Sequence, residues 1–509
     1  MKEFILDLKD YSLDDFKYFL KSSPPVSLTD QARERVIRSR KTLEDILARK
    51  ATSVYGINTG FGKLSGVRIA DDKHESLQRN LIRSHAVGVG TPLNADVVRL
   101  TMLLKIISLC RGYSGVRLEV VEHLRAFLNG DVLPIIPSQG SVGASGDLAP
   151  LAHMTLGLMG EGEVLLAGQP VTAAKALEHL GLRPLVLQAK EGLALINGAQ
   201  VSTALGVLAV IRLHNLVRVA DIVGALSVDG LAGTPRPFRP EVHELKKHAG
   251  QKATAANLYR LIEGSAIRES HRQDDERVQD MYSLRCMPQI HGACRDALDF
   301  ATRQLLNEAV SVSDNPLVFP DTGDVISAGH FHGESVALAC DLAAIAAAEM
   351  GNISERRIFA LLNGNAGLPA GLVSNAGLNS GFMMVQVTAA ALASENKTLA
   401  HPASVDSIPT GADQEDHVSM SAWAGRKLLQ LVDNLVYILT LEYITACQAV
   451  DFHDGLEAGR GSMAAYRLLR RQVSFVDEDR SLAADIAHAR ELISSGAMVE
   501  AVEEVIQLQ

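Results

Sequence analysis

Three consecutive residues, Ala144-Ser145-Gly146, combine types that can do chemistry on their own backbone. They lie in the run Ser138-Gln139-Gly140-Ser141-Val142-Gly143-Ala144-Ser145-Gly146-Asp147-Leu148-Ala149-Pro150-Leu151-Ala152-His153. In a tightly bent loop the Gly146 amide nitrogen can attack the Ala144 carbonyl carbon. Loss of water there, and of the Ser145 hydroxyl, leaves a five-membered ring with an exocyclic methylene. Glycine has no Cβ to block the approach, serine supplies the hydroxyl that leaves, and alanine is small enough for the bend. The product would be an electrophile, which ordinary side chains do not provide. The plainer reading is a helix N-terminus with Asp147 as its cap, Gly143 and Gly146 in unusual φ, and an apolar helix from Leu148 onward.

Such a loop needs a rigid frame, and helical signals dominate the chain. Asp96–Leu109 is apolar at helical spacing behind a capping aspartate and stops at Arg111-Gly112-Tyr113-Ser114-Gly115. A second helix is predicted from about Arg117 to Leu128, closed by Asn129-Gly130. Glu334–Leu362, Phe382–Leu399 and His417–Val450 are rich in strong helix formers. Short strands are expected at Val164–Leu166 and Pro170–Val171 around a Gly168 turn, without βαβ alternation. The expected fold class is mainly α, a bundle of long helices with a smaller, loop-rich N-terminal part. The boundary is placed near residue 200, giving domains 1–200 and 201–509. Gly-rich islands at Tyr55–Gly66, Pro134–Gly146, Val312–Glu334 and Leu362–Gly381 separate the helices, and such islands are where chemistry usually sits.

Composition narrows the function classes. The chain has 509 residues, 47% hydrophobic, with 49 basic against 59 acidic side chains and a formal charge of −10, which disfavours a general nucleic-acid binder. Cys110, Cys286, Cys294, Cys340 and Cys447 form no CxxC pair, the pattern of reduced thiols in a cytoplasm. No signal peptide is visible at MKEFILDLKDYS. The apolar runs are interrupted by Asp341, Glu349 and Glu442, so a soluble protein without membrane contact is expected.

The run around Ala144-Ser145-Gly146 resembles the signature of the aromatic amino acid ammonia-lyases, which build a methylidene-imidazolone (MIO) group from Ala-Ser-Gly. Further segments follow in that family's order: Tyr55-Gly56-Ile57-Asn58-Thr59-Gly60-Phe61-Gly62, Asn197-Gly198, Tyr282-Ser283-Leu284-Arg285-Cys286, Ser313-Asp314-Asn315-Pro316, Phe331-His332-Gly333-Glu334, Asn379-Ser380-Gly381-Phe382 and Gln414-Glu415-Asp416-His417. The resemblance implies β-elimination of ammonia from an amino acid, with the substrate amine, or in an older view its ring, adding to MIO. It implies Tyr55 as the base, although a phenol near pKa 10 needs nearby positive charge or donors to ionise at neutral pH. Arg285 is implied as the carboxylate clamp, since guanidinium binds carboxylate bidentately. Asn197, Gln279, Tyr282 and Phe331 match pocket positions, with Tyr282 a second candidate for proton transfer. The family's fold, related to fumarase and aspartase, implies a homotetramer whose sites are each built from three chains.

Two places bear on the substrate. Ser84-His85 occupies the family's selectivity dyad in the form of its histidine-specific members, and Gln414-Glu415 resembles their Gln-Glu. Imidazole has two nitrogens that need partners, and His85 with Glu415 would supply them. The expected reaction is L-histidine to trans-urocanate plus ammonia, the first step of histidine catabolism, with a tyrosine or phenylalanine ammonia-lyase or aminomutase as the alternative. The chain departs from the common pattern at Ala370 and Gly371, Met287, His330 and Asp413. The first pair could alter a lid and the others the surroundings of the pocket.

Three other readings compete. His330, His332 and Glu334 offer the ligands of a metal-dependent hydrolase, but HExxH and HxxEH spacings are absent and no cysteine joins them. Gly62-Lys63 resembles part of a phosphate loop, yet Ile57 stands where glycine is required and Leu64 where Ser or Thr belongs. A non-catalytic helical assembly protein would need the Ala-Ser-Gly loop to stay uncyclised. Neither a metal nor a nucleotide is expected.

Overall fold

Four helices dominate the computed structural model: Gln200–Gly230, Met287–Ala309, Glu334–Leu362 and Ser421–Asp451. The structure describes the whole chain except residues 1–2, 50–55, 58, 61–67, 274 and 276 and the side chain of residue 71. The mainly helical class expected from the sequence is what the chain adopts. Ala337, Ala339, Ala343, Ala344 and Ala347 of Glu334–Leu362 are buried. A helix buried on most sides has no polar face to spare, and small side chains let neighbouring backbones approach.

The remaining elements are short. Phe4–Leu6 pairs in parallel with Val26–Leu28, and Leu317–Phe319 forms a hairpin with Asp324–Ile326. Val132–Pro134, Glu163–Leu166 and Gln169–Thr172 make a three-stranded antiparallel sheet, its last two strands joined at Gly168 as the sequence suggested. Val89–Pro92 pairs antiparallel with Pro137–Gln139, the strand that delivers the Gly-rich loop.

Helix ends show where local chemistry was misread. The helix anticipated at Asp96–Leu109 is Ala95–Cys110, and its cap is Asn94, whose side chain accepts from the Val97 amide. Asparagine and aspartate are equally good caps, and the chain enters the helix two residues earlier than the aspartate implied. The last long helix starts at Ser421 rather than His417. Residues 410–420 carry positive φ at Gly411, Ala412, Asp413 and Met420, which a helix cannot accommodate.

The chain divides into two compact units, each collected from three stretches. The first comprises Met1–Leu208, Thr302–Asp341 and Pro402–Arg426; the second comprises Ala209–Ala301, Leu342–His401 and Lys427–Gln509. All four long helices have residues in both, so a cut at residue 200 falls at the first residue of one of them. In the second unit a buried polar cluster ties three helices together. Arg357 donates to both carboxylate oxygens of Glu442, which also accepts from Ser227 and Ser354.

All five cysteines are free, four of them buried and Cys286 partly so. By length and composition Glu334–Leu362 and Ser421–Asp451 could cross a membrane, despite the acidic interruptions noted in the sequence. In each, 72% of the most apolar window is buried inside the protein, as in core helices.

Candidate active site

The first unit holds the Ala144-Ser145-Gly146 loop between the strand Pro137–Gln139 and the helix Leu148–Leu158. Its bend is enforced by glycines. Gly146 has φ +72°, and a Cβ there would fall 2.2 Å from the backbone of Gly198. Gly143 has φ +70°, and a Cβ there would meet the Ser419 hydroxyl at 2.3 Å. Both positions exclude side chains on conformational and steric grounds together.

Backbone hydrogen bonds bracket the tripeptide. The Gly198 amide donates to the Ser145 carbonyl (3.2 Å), and the Asp147 amide donates to the Gly198 carbonyl (2.8 Å). The Gly146 amide between them donates to no described residue. From the other side, the Met420 amide donates to the Val142 carbonyl, and the Ser419 hydroxyl donates to that of Gly143. Ala144 is buried and Ser145 partly exposed.

Asp147 occupies the N-cap position of Leu148–Leu158 but makes no capping bond there. Its carboxylate instead accepts from the Ser202 amide (2.8 Å) and hydroxyl (2.7 Å) and from Ser141 (3.1 Å). It thus serves the N-terminus of the long helix Gln200–Gly230, where unpaired amides favour a negative charge. Burial pushes its pKa up, and the Ser202 and Ser141 bonds oppose that. The capping expectation is corrected in its target: the side chain reaches a helix that is remote in sequence.

Glu415 is brought to the loop. The Ser145 hydroxyl donates to Glu415 Oε1 at 3.3 Å, and Thr410 donates to Oε2 at 2.7 Å. Thr410 and Glu415 also exchange backbone hydrogen bonds across the tight turn that contains Gly411. Thr410 was missed in the sequence, because its contribution depends on that turn. Asn197 follows the helix Glu191–Ile196, is 3% exposed, and its Oδ1 has no partner among the described residues. A buried, unpaired acceptor beside the loop suits contact with a bound molecule.

His85 ends the helix His74–His85, and its Nδ1 lies 2.8 Å from the Leu81 carbonyl. A carbonyl only accepts, and the Ser84 hydroxyl, 3.0 Å from Nδ1, itself donates to that carbonyl, so a proton on Nδ1 satisfies the contact and leaves Nε2 as the ring's acceptor. His153, also unflagged in the sequence, accepts from the Gly88 amide (3.0 Å), and burial lowers its pKa. Phe331 is partly buried in the turn before Glu334–Leu362. Tyr55 lies outside the described residues.

In the second unit Gln279, Tyr282 and Arg285 line one cavity of about 320 Å³ with Arg277, Asp280 and Met281. The Arg285 guanidinium stacks 4.7 Å from the centre of the Tyr282 ring. Arg285 Nε is buried without a hydrogen-bond partner among the described residues, a donor left over for an anion. Met287 is fully buried, with its sulfur against Gly224, so it belongs to the core of this unit. Gly371 and Leu372 both take positive φ, and Leu372 is buried.

The metal-ligand reading changes membership. His332 and Glu334 lie together with His417, their ligand atoms within 4.8 Å of one another, and His330 is not in the group. His332 and His417 are held by ring packing at 5.6 Å between centroids.

A family model described as aromatic amino acid lyase matches residues 11–471. The chain belongs to the aromatic amino acid lyase family. Among its relatives, a histidine ammonia-lyase of Alkaliphilus oremlandii is 48% identical over the full length of both chains. The crystal structure of histidine ammonia-lyase from Trypanosoma cruzi superposes with a TM-score of 0.92 at 40% identity, covering 99% of this chain and 96% of that one. Tyrosine aminomutase from Streptomyces globisporus also superposes at 0.92, with 36% identity and full coverage of both. The family thus includes lyase and mutase outcomes on closely similar folds.

Proposed function

We propose that this protein is a histidine ammonia-lyase that converts L-histidine to trans-urocanate and ammonia, using an MIO group formed from Ala144-Ser145-Gly146. The observation that carries the proposal is the clamped loop, with a Gly146 amide that donates to no described residue and the Ser145 hydroxyl on Glu415. Ring closure joins Gly146 N to the Ala144 carbonyl carbon. That carbonyl oxygen leaves as water with the Gly146 and Ser145 amide hydrogens, and a second water takes the Ser145 hydroxyl with its Cα hydrogen. The residues present fit this group: the attacking nitrogen donates to no described residue, its carbon has no side chain, and the departing hydroxyl rests against a carboxylate.

Once formed, the group supplies the electrophile that turns the substrate amine into a leaving group. The chain's own residues do the rest. Arg285 binds the substrate carboxylate, using a donor that has no partner among the described residues. His85 Nε2 accepts from one imidazole nitrogen, and Glu415, oriented by Thr410, meets polar hydrogens of substrate or MIO. Asn197 and Gln279 orient bound atoms, Phe331 supplies an apolar wall, and Tyr55 takes the β-proton, with Tyr282 as its partner in proton transfer.

Self-association into a homotetramer with sites shared between chains is part of the proposal. Leu338, Ile345 and Phe359 are 51%, 47% and 43% exposed along Glu334–Leu362, at seven-residue multiples on one stripe. An apolar stripe at this spacing suits a helix of another chain. The free cysteines fit a cytoplasmic setting.

The deciding experiment compares wild type with Ser145→Ala. Wild type should show a near-ultraviolet absorbance that the variant lacks, and a urocanate assay should fall at least about 10³-fold, as when a covalent catalyst is removed. Identical spectra, or faster turnover of tyrosine or phenylalanine than of histidine, would overturn the assignment. Product analysis separates elimination from amine migration.

A further inference from the structure

Lys105 lies in the middle of the apolar helix Ala95–Cys110 and is 1% exposed. A lysine in such a place is costly unless its donors are used. Its ammonium donates to the Asn197 carbonyl at 2.7 Å and to the Ala194 carbonyl at 3.2 Å. Those carbonyls lie at the end of Glu191–Ile196, where the last turn has no amides to receive them. The next residue, Gly198, brackets the loop through its amide and carbonyl. Its φ is +117°, and a Cβ there would come within 2.7 Å of Ser313 and Gln200.

We propose that Lys105 is a positioning residue for the Ala144-Ser145-Gly146 loop: by holding the Asn197 and Ala194 carbonyls it fixes the strap that binds Ser145 and Asp147 on either side of the Gly146 nitrogen. The inference rests on the proposed MIO chemistry and extends it to a residue that never touches substrate. Ring closure needs the Gly146 nitrogen held against the Ala144 carbonyl carbon, and small misplacements of reacting atoms slow such steps steeply. Without Lys105, two buried carbonyls would lose their donor and the strap its anchor.

The charges facing Lys105 are Asp314, Asp147 and Lys190. Burial pulls its pKa down to about 7, the two aspartates oppose this, and Lys190 adds to it. Ammonium and neutral amine both keep at least two N–H donors, so the clamp survives this titration. Lys190 is an internal control, because it is equally buried but its side chain pairs with Asp314 (2.6 Å) rather than with the Asn197 or Ala194 carbonyl.

The test follows loss of two waters by intact mass, together with near-ultraviolet absorbance, in freshly expressed protein. Wild type should convert fastest, Lys105→Gln more slowly, and Lys105→Met at least tenfold more slowly than wild type at a comparable melting temperature. Lys190→Met should melt lower yet convert fully. Wild-type conversion with unchanged kcat and KM in Lys105→Met would overturn the role, as would conversion in Lys190→Met falling in step with its stability. If the methionine variant does not fold, Lys105→Gln decides, and conversion at the wild-type rate would remove Lys105 from the mechanism. A wild type that loses no water would sink the MIO reading itself, and this inference with it.

Discussion

At the scale of single residues, the site is made of ordinary groups whose chemistry is set by one neighbour each. The Leu81 carbonyl chooses the tautomer of His85, and Thr410 orients Glu415. His85 was legible in the sequence because its neighbour Ser84 completes a recognisable pair. Thr410 was not, because its hydroxyl matters only after a turn folds it back on Glu415. In the proposed site, replacing His85 with phenylalanine removes the acceptor assigned to a polar substrate ring. Histidine kcat/KM should fall about ten- to hundredfold, the scale of one unpaired buried polar group, while phenylalanine turnover rises. Competition assays with both amino acids read this directly, and unchanged selectivity would remove His85 from the pocket.

At the scale of elements, the loop is held by segments far apart in sequence. Gly198 follows one helix, Asp147 serves the N-terminus of another, and Ser419 and Met420 precede a third. The sequence marked Asp147 as a cap of its own helix because capping is normally local. The actual target, Ser202, is 55 residues away, and nothing in the local pattern points to it. The fully buried Lys190–Asp314 pair joins two further segments of this unit. Burial lowers the Lys190 pKa, and Asp314 opposes it. Removing one partner leaves the other buried without its counter-charge. Lys190→Met should therefore destabilise by about 3–5 kcal/mol, measured by denaturant midpoint, and Asp314→Asn should act in the same direction.

At the scale of the whole molecule, two properties are expected to respond to small changes. The first is assembly. Ile345→Asp combined with Phe359→Asp places two charges on the exposed stripe and should raise the dissociation constant at least about a hundredfold, with loss of activity. Analytical ultracentrifugation reads the mass, and an unchanged assembly would exclude this stripe as an interface. The second is stability against pH. Asp229 is fully buried in the second unit, bonded to Ser265 and the Gly459 amide, and burial pushes its pKa up to about 6. The folded state therefore keeps this proton to higher pH than the unfolded chain. The stabilisation is complete below about pH 4 and is lost as pH rises through about 6, about 3 kcal/mol in all. Asp229→Asn should remove that slope between pH 4 and 6, and wild-type and variant melting curves across this range would show whether it does.

The sequence by itself determined the helical frame, the reactive tripeptide and most of the residues proposed around it. Helix formation follows from side-chain spacing along one segment, and the chemistry proposed for the loop rests on three adjacent residues. Its glycines, too, were recognisable as positions of unusual φ, while the clashes a Cβ would make with Gly198 and Ser419 came from the fold. Only the tertiary structure decided what restrains the loop. It showed Gly198 bracketing Gly146, Asp147 serving a distant helix, Glu415 reaching the Ser145 hydroxyl, and a buried lysine holding the strap behind them. A hydrogen bond between segments is fixed by where the folded backbone sets its donor and acceptor, and residue type at one position does not encode that distance.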